Sequence, residues 1–233
     1  MTSVLIPNNW KPRPYQLPFF RYFARGGKRA VLMWPRRHGK DDACLHQTAI
    51  QLMKIPGTYW FMLPQYGQAR KAIWDAVNKH TGLRRIDEAF PKEIRARVNE
   101  SEMKIVFKNG SVWQVCGSDN YNALVGSNPA GIVFSEYALS DPQAWDYLSP
   151  ILDENNGWAI FNSTVRGQNH FTQLAHIAKG DPNWFYSKVR ASEAGVFTAE
   201  QLEQIKQEYI RRRGYDMGLG MFLQEYENDE NAF

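Results

Sequence analysis

Short apolar runs alternate with amphipathic stretches along the 233 residues of the chain. Runs rich in β-branched and aromatic residues and bounded by turn formers predict strands at 31–34, 59–63, 105–107, 112–115, 132–135, 159–162 and 185–189. Apolar residues at helical spacing predict helices at 42–54, 66–80 and 198–213, the last of which opens with the capping pattern Thr198-x-x-Gln201. Strands that alternate with helices predict an α/β domain with a mainly parallel sheet.

Two segments depart from this alternation. Asn109-Gly110 lies between two alternating runs, which is a strong hairpin signal, so 103–115 is predicted to be a local antiparallel insertion. The final stretch, YENDENAF, has the character of a frayed or truncated end. In FLQEYENDENAF, at 222–233, we expect a short tail with no fold around its acids, which are Glu225, Glu227, Asp229 and Glu230.

Composition narrows the class of protein. Hydrophobic residues make up 43% and charged residues 22% of the chain, which argues against disorder throughout. No apolar run approaches the roughly 20 residues that cross a bilayer, and the N-terminus lacks the pattern of a secretory signal, so we expect a cytoplasmic protein. Cys44 and Cys116 lack the spacing of a zinc site and are predicted to be buried free thiols.

The charge of the chain is polarised. The formal net charge is +4, yet residues 1–40 contain nine Lys or Arg and no acid, and everything after Arg213 is acidic or neutral. Such a basic front suits the phosphates of a nucleotide or of DNA. A solvated basic surface explains the same charge equally well, so charge alone leaves both interpretations open.

A candidate phosphate-binding loop, WPRRHGKDD, lies at 34–42 after the first apolar run. Such a loop needs a glycine where the chain approaches the anion, a lysine for the terminal phosphates, and a helix start whose dipole favours negative charge. Gly39, Lys40 and a helix beginning near Asp41 satisfy these needs. Trp34 stands where the usual pattern has its first glycine, so a chance Gly-Lys pair before a helix is the alternative.

Three further elements carry candidate chemistry. Glu136 follows an apolar strand, where a carboxylate can polarise attacking water, although an exposed glutamate at a strand end gives the same pattern. Ser163 and Thr164 end another strand, where small hydroxyl residues can respond to a γ-phosphate or simply form a strand-to-helix turn. Gln16 precedes the first strand and offers both a donor and an acceptor for an adenine edge.

In this order, these elements resemble the ATPase domain of the large terminase subunit, the motor that packages DNA into the capsids of tailed phages and related viruses. The resemblance covers nearly the whole chain, from PYQ at 14–16 through RRHGKD at 36–41, GIVFSEYA at 131–138 and STVRGQNHF at 163–171 to FLQEYE at 222–227. It implies a RecA-like P-loop NTPase of the ASCE class. The expected division is an N-terminal segment with the adenine contact at 1–27, the ATPase core at 28–213, and a C-terminal tail at 214–233.

The resemblance also implies roles for single residues. Lys40 would bind the β- and γ-phosphates, Glu136 would activate water, Gln16 would contact adenine, and Ser163 and Thr164 would couple hydrolysis to movement. The nucleotide would be bound by Arg36, Arg37, His38, Gly39, Lys40, Asp41 and Asp42. An arginine would stabilise the transition state, either in cis from Arg36 or Arg37, or from a neighbouring subunit through Arg85, Arg95, Arg97 or Arg166.

Two positions depart from the family's pattern. Members commonly have Thr or Ser after Gly-Lys and Asp before the catalytic Glu, whereas this chain has Asp41 and Ser135. We hypothesise that the hydroxyl and the carboxylate have been exchanged, so that Asp41 binds Mg²⁺ directly or through water and Ser135 supplies the weaker second contact. The alternative is that Asp41 only caps the helix and that phosphates and water hold Mg²⁺.

The resemblance thus implies an ATP- and Mg²⁺-dependent motor that moves double-stranded DNA into a procapsid. Its expected partners are the portal protein, the small terminase subunit and further copies of this chain in a ring, in the host cytoplasm and with no membrane. The usual nuclease domain is not seen in this sequence, so no nuclease activity is expected. A degenerate, non-hydrolysing module that binds DNA or portal is the alternative. DNA contacts remain open, because the eight basic residues between 79 and 108 are interleaved with five acids.

Overall fold

The computed structural model describes residues 10–124 and 126–233, so the first nine residues of the predicted N-terminal segment lie outside the described residues. The strands are β1 (Arg29–Met33), β2 (Thr58–Leu63), β3 (Arg95–Asn99), β4 (Lys104–Phe107), β5 (Val112–Gly117), β6 (Pro129–Ser135), β7 (Trp158–Ser163) and β8 (Trp184–Lys188). They form one sheet in the order β3-β4-β5-β2-β6-β7-β1-β8. Strand β2 pairs in parallel with β5 and β6, and β1 pairs in parallel with β8. The predicted α/β fold with a mainly parallel sheet is confirmed.

The helices are α1 (Leu17–Ala24), α2 (Lys40–Lys54), α3 (Tyr66–Ala69), α4 (Arg85–Ala89), α5 (Gln143–Glu154), α6 (His170–Gly180), α7 (Ala191–Ala194), α8 (Ala199–Arg213) and α9 (Tyr215–Glu227). Helices α2 and α8 confirm the predictions at 42–54 and 198–213. The capping box of α8 is also confirmed, because the Gln201 amide donates to Thr198 Oγ1 at 3.1 Å and the Thr198 amide donates to Gln201 Oε1 at 2.8 Å. None of the described helices is long and apolar enough to cross a bilayer.

The predicted helix at 66–80 is wrong beyond residue 74. Helix α3 passes into a π-helical turn, Arg70–Trp74, and the chain then forms an isolated bridge between Val77 and Arg84. Tertiary packing explains the change, because Trp74 is fully buried, stacks on Trp113 at 6.1 Å and donates to Glu100 Oε2 at 2.5 Å. The apolar spacing fits a regular helix through residue 80, but the spacing does not reveal these tertiary contacts of Trp74.

The chain divides into two compact units. The first holds residues 41–135 and 140–159 together with residues 10–13, and the second holds residues 14–40, 136–139 and 160–233. In the first unit the predicted hairpin is confirmed, with Lys104 opposite Gln114 and Gly110 in the left-handed region at φ 87°. It is part of the main sheet, because β5 also pairs with β2 and the extra strand β3 pairs with β4.

Aromatic residues fill the core of the first unit. The Phe90 ring lies 4.8 Å from that of Trp113, and Gly131 in β6 leaves the space that Trp158 occupies, since a Cβ there would lie 2.1 Å from the indole. Cys44 in α2 and Cys116 in β5 are buried free thiols, as predicted. Burial raises the pKa of the Cys116 thiol to about 12, so this sulfur is an unreactive core group at neutral pH.

The second unit contains two sets of packed residues. Aromatic side chains pack beside β1, and the helices α7, α8 and α9 pack together near the C-terminal end. Phe19 of α1 contacts Trp34, whose indole donates to Ser187 Oγ at 2.9 Å. Ala191, Leu202 and Phe222 form a small core that joins α7, α8 and α9. The expectation of an unfolded acidic tail is therefore wrong, because residues 215–227 form a helix whose apolar face is buried.

Candidate nucleotide site

The loop that ends β1 curves through two left-handed residues. Arg37 has φ 63° and Gly39 has φ 69°, and the His38 amide lies 3.4 Å from the Pro35 carbonyl across the turn. Glycine adopts this conformation freely, whereas at Arg37 it costs roughly 1–3 kcal/mol. The strained turn leads directly into Lys40, the first residue of α2, so the helix begins at the end of the loop.

Lys40 is the centre of a buried polar cluster in the second unit. Its Nζ lies 3.0 Å from Glu136 Oε1 and 3.1 Å from Thr164 Oγ1. The Lys40 side chain is only 8% exposed, compared with 31% for that of Glu136. Three residues that are far apart in the sequence thus meet at one amine. They were predicted separately to bind phosphate, activate water and couple hydrolysis to movement.

Glu136 is held in a conformation that favours glycine. Its φ is 54°, and the 3₁₀ turn that follows is closed by a 2.9 Å hydrogen bond from the Leu139 amide to the Glu136 carbonyl. Backbone strain of this kind costs roughly 1–3 kcal/mol and is concentrated at functional sites. The carboxylate of this strained residue is the one that contacts Lys40.

Ser163 connects the segment after Glu136 to the end of β7. The Ala138 amide donates to Ser163 Oγ at 3.3 Å, and Ser163 Oγ donates to the Thr164 carbonyl at 2.9 Å. Both hydroxyl residues are buried. Ser163 therefore holds the turn that carries Glu136, while the Thr164 hydroxyl is the one that contacts Lys40.

Gln16 and His38 both brace the loop. Gln16 is buried, and its Nε2 donates to the carbonyls of His38 at 3.2 Å and Gly39 at 3.3 Å. His38 is also buried, its Nδ1 donates to the Arg36 carbonyl at 2.7 Å, and its ring lies 5.9 Å from that of Phe197. The role of Gln16 as an adenine contact stays a prediction. In the structure, the Gln16 side chain holds the phosphate loop through these two hydrogen bonds.

In the first unit, the chain neighbours of Lys40 and Glu136 are bonded to each other. Ser135 Oγ donates to Asp41 Oδ1 at 2.7 Å, and Arg85 Nη2 lies 4.0 Å from Asp41 Oδ2. Arg85 Nε donates to Asp42 Oδ1 at 2.5 Å. The two positions that depart from the family's pattern therefore form a carboxylate–hydroxyl pair, and Arg85 is held within this unit by two acids.

Burial and the charge of Arg85 shift the pKa values of ionisable groups near the Asp41–Ser135 pair. Burial raises the pKa of Asp42, and the Arg85 charge counters only part of that shift. Burial lowers the pKa of Arg85, but Asp41 and Asp42 outweigh that effect and leave it raised. Burial, with a smaller contribution from Arg85, lowers the pKa of His46 to about 4, so this residue of α2 is neutral at pH 7.

The donors present suit Mg²⁺ only in part. Among residues 10–124 and 126–233, no group of three or more His, Cys, Asp and Glu side chains is arranged to hold a metal ion. Asp41 and Ser135 do offer two adjacent hard oxygens, and Mg²⁺ in nucleotide sites is typically bound by one or two protein oxygens, phosphates and water. The pair fits such an ion as a partial ligand set.

Glu225, which was expected in a tail with no fold around it, is a buried acid of the second unit. Glu225 of α9 accepts from Arg36 Nε at 2.5 Å and from Arg166 Nη1 at 2.6 Å, and its side chain is 6% exposed. Burial lowers the pKa of Arg36, but Glu225 outweighs that effect and leaves it raised. No local pattern reveals this contact, because 189 residues separate Arg36 from Glu225.

Several of the other predicted basic residues are engaged by acids of the first unit. Arg95 Nη2 lies 2.6 Å from Asp87 Oδ1, and Arg84 Nε lies 3.0 Å from Asp87 Oδ2. The pKa of Asp87 is lowered, because hydrogen bonds and charge from these two arginines outweigh burial, which raises it. With Arg85 bound to Asp42, three of the eight basic residues between 79 and 108 serve local ion pairs.

Comparison with known proteins supports the same family as the motifs. No model of a protein family matches the chain. The large terminase subunit of Thermus phage G20c is 25% identical over 240 residues, which cover 93% of this chain and 48% of that protein. The large terminase subunit of Escherichia phage T5 is 30% identical over 142 residues, covering 59% of this chain and 31% of that protein. The chain spans about half the length of the Thermus relative.

Solved structures agree on the fold. The Thermus phage P74-26 large terminase ATPase domain superposes with a TM-score of 0.70 at 21% identity, covering 97% of this chain and 99% of that one. The large terminase of a thermophilic bacteriophage, solved in complex with ADP, gives a TM-score of 0.69 at 13% identity and covers 94% of this chain and 54% of that one. The chain is thus similar in sequence to phage large terminase subunits and has the fold of their ATPase domains, which confirms the resemblance inferred from the motifs.

Proposed function

We propose that this chain is the ATPase motor domain of a viral DNA-packaging terminase, which hydrolyses ATP to translocate double-stranded DNA into a procapsid. The observation that carries the proposal is the meeting of Lys40, Glu136 and Thr164 at distances of 3.0 and 3.1 Å. The similarity to large terminase subunits supports the packaging role, and a solved ADP complex of a protein with the same fold supports the nucleotide.

We propose a task for each residue of the cluster. Lys40 carries a buried positive charge at the end of the loop, where it would bind the β- and γ-phosphates. Glu136 would then lose its ion pair to the incoming anion, which leaves its carboxylate available to orient the attacking water. Thr164, hydrogen-bonded to the same amine, would register whether the terminal phosphate is present.

Mg²⁺, when bound, would neutralise charge on the β- and γ-phosphates. Asp41 and Ser135 are the residues that would hold it, through the carboxylate and the hydroxyl that they share in a 2.7 Å hydrogen bond. Arg36 and Arg37 are the residues of the loop that would stabilise charge developing in the transition state.

The proposal is tested by ATP turnover in Glu136→Gln and Lys40→Ala, measured with DNA and portal protein present. Loss of a catalytic carboxylate that orients water is expected to lower kcat by about 10²–10⁴-fold with little change in ATP affinity. Lys40→Ala is expected to lose both affinity and turnover. Glu154 is exposed, so Glu154→Gln is the matched control and should behave as wild type. Turnover that survives in Glu136→Gln would contradict the assignment.

A non-hydrolysing module that docks on DNA or portal is the second candidate. The observation that favours it is the Ser135–Asp41 hydrogen bond, which satisfies each of the two expected metal ligands with the other. This candidate predicts ATP binding without turnover, even with DNA and portal present. It is therefore separated from the motor by the same assay in the wild-type protein.

The proposed partners follow from the packaging role. They are double-stranded DNA, the portal protein, the small terminase subunit and further copies of the chain in a ring, and the proposed location is the host cytoplasm. We also propose that this chain has no nuclease activity of its own, which metal-dependent cleavage of DNA by the purified protein would contradict. Binding to the DNA backbone should weaken steeply as salt increases, because each phosphate contact releases counterions.

A further inference from the structure

Glu225 occupies an unusual position for an acid near the C-terminal end of the chain. Its two carboxylate oxygens accept from two different arginines, at 2.5 Å from Arg36 Nε and at 2.6 Å from Arg166 Nη1. The backbone takes part as well, since the Arg36 amide lies 3.4 Å from the Glu225 carbonyl. The side chain is 6% exposed, whereas that of Arg36 is 53% exposed. The carboxylate is thus an internal anchor for a guanidinium that still reaches the surface.

Asn228, one turn beyond Glu225, fixes the position of this anchor. Its amide nitrogen donates to the carbonyls of Met33 at 2.9 Å and Val189 at 2.8 Å, and its amide oxygen accepts from Val165 at 3.3 Å. Met33 ends β1, Val189 directly follows β8, and Val165 lies two residues after the end of β7. The end of α9 is therefore held at the strand ends from which the loop with Lys40 and the segment with Thr164 emerge.

The two arginines belong to the segments that carry the proposed chemistry. Arg36 lies in the phosphate loop four residues before Lys40, and Arg166 lies two residues after Thr164. Two guanidinium groups repel each other, and one shared carboxylate offsets that repulsion while leaving a net positive charge. Satisfying a buried acid would need only one arginine. Glu227 of the same helix shows the contrast, because among the described residues its partner is Ser192 of α7, which donates to it from both its amide and its hydroxyl.

We propose that Glu225 is a positioning residue of the nucleotide site. Its carboxylate fixes the guanidinium group of Arg36, which lies in the phosphate loop, together with that of Arg166. This inference rests on the proposed function, because it requires a nucleotide phosphate as the target of Arg36. Helix α9 is then a working part of the ATPase site: it sets the direction of a cation that the loop alone leaves exposed.

The test compares nucleotide affinities in wild type, Glu225→Gln and a control. Titrations with ADP and with ATPγS, each with Mg²⁺, give the preference for the terminal phosphate. In Glu225→Gln, ADP affinity should be kept or increased, because the site loses a negative charge. The preference for ATPγS over ADP should fall by about tenfold, the size of one charge-assisted hydrogen bond. Glu208→Gln, which removes an exposed carboxylate paired with Arg212 on α8, should change neither.

A merely structural role for Glu225 predicts a different result. Damage to packing would weaken ADP and ATPγS binding alike and would lower the melting temperature, with no change in preference. An unchanged preference in Glu225→Gln would overturn the inference. A wild-type chain that binds neither nucleotide would instead overturn the proposed function, so the two failures are distinguishable.

A double-mutant cycle tests whether Glu225 acts through Arg36. In the Arg36→Ala background, Glu225→Gln should leave the ATPγS preference within about twofold, because the group that it positions has already been removed. Effects that multiply in the double mutant would show that Glu225 acts independently of Arg36 and would contradict the proposal. Glu225→Asp, which keeps the charge on a shorter stem, should retain part of the preference.

Discussion

At the scale of single residues, the exchange of a carboxylate and a hydroxyl is the most informative feature of the sequence. Asp41 and Ser135 lie next to Lys40 and Glu136 in the chain, and the Ser135 hydroxyl donates to the Asp41 carboxylate at 2.7 Å. A hydroxyl–carboxylate hydrogen bond can form whichever of the two positions carries the carboxylate, because the hydroxyl supplies the proton and the carboxylate supplies the negative charge. The pair is therefore expected to tolerate a double exchange better than either single change.

This expectation can be tested with Asp41→Thr, Ser135→Asp and the double mutant. Ser135→Asp alone would place two carboxylates together and should lower the free energy of unfolding by about 1–3 kcal/mol. Arg85 cannot fully offset the second charge, because it already pairs with Asp42 at 2.5 Å. The double mutant should recover most of the loss. Urea unfolding gives the stability, and ATP turnover against Mg²⁺ concentration tests the metal: identical Mg²⁺ dependence in all three variants would rule out the exchange of metal ligands.

At the scale of elements, packing at a single glycine decides how β6 is seated in the first unit. A Cβ on Gly131 would lie 2.1 Å from the Trp158 indole, which is buried. We expect Gly131→Ala to lower the free energy of unfolding by about 1–3 kcal/mol, the usual cost of overpacking a core. Gly67 in α3 faces open space, since a Cβ there would meet no atom within 4 Å, so Gly67→Ala should be neutral or slightly stabilising. Equal melting temperatures for the two variants would contradict this account.

The elements also show how far sequence patterns reach. Strands such as β2 and β6 were predictable because almost all their residues are buried and apolar. Strand β3 was missed because its residues, RARVN, are intermediate or exposed and carry two arginines, so no apolar pattern marks it. Local motifs marked Lys40, Glu136 and Thr164 as candidates, whereas Glu225 was wrongly expected in an unfolded tail, because its partners are remote in the chain and the surrounding composition resembles a tail.

At the scale of the whole molecule, the C-terminal residues contribute to stability as well as to the site. Phe222 of α9 is buried in the small core with Ala191 and Leu202, and Asn228 satisfies three backbone groups at the strand ends. A chain ended after Gly214 would expose that core and leave buried backbone groups without partners. Both losses act on the second unit, which also carries Lys40 and Glu136.

We therefore expect removal of residues 215–233 to lower the free energy of unfolding by at least about 3 kcal/mol, the cost of deleting one large buried aromatic side chain. A shorter truncation after Glu230 keeps Phe222, Glu225 and Asn228 and should cost less than about 1 kcal/mol, because Asn231 and Phe233 are exposed and exposed terminal residues contribute little. Urea denaturation followed by circular dichroism measures both. If the longer truncation unfolds at the same denaturant concentration as the full chain, the segment behaves as a dispensable tail. If only the longer truncation is destabilised, α9 is an integral part of the unit that holds the proposed catalytic cluster.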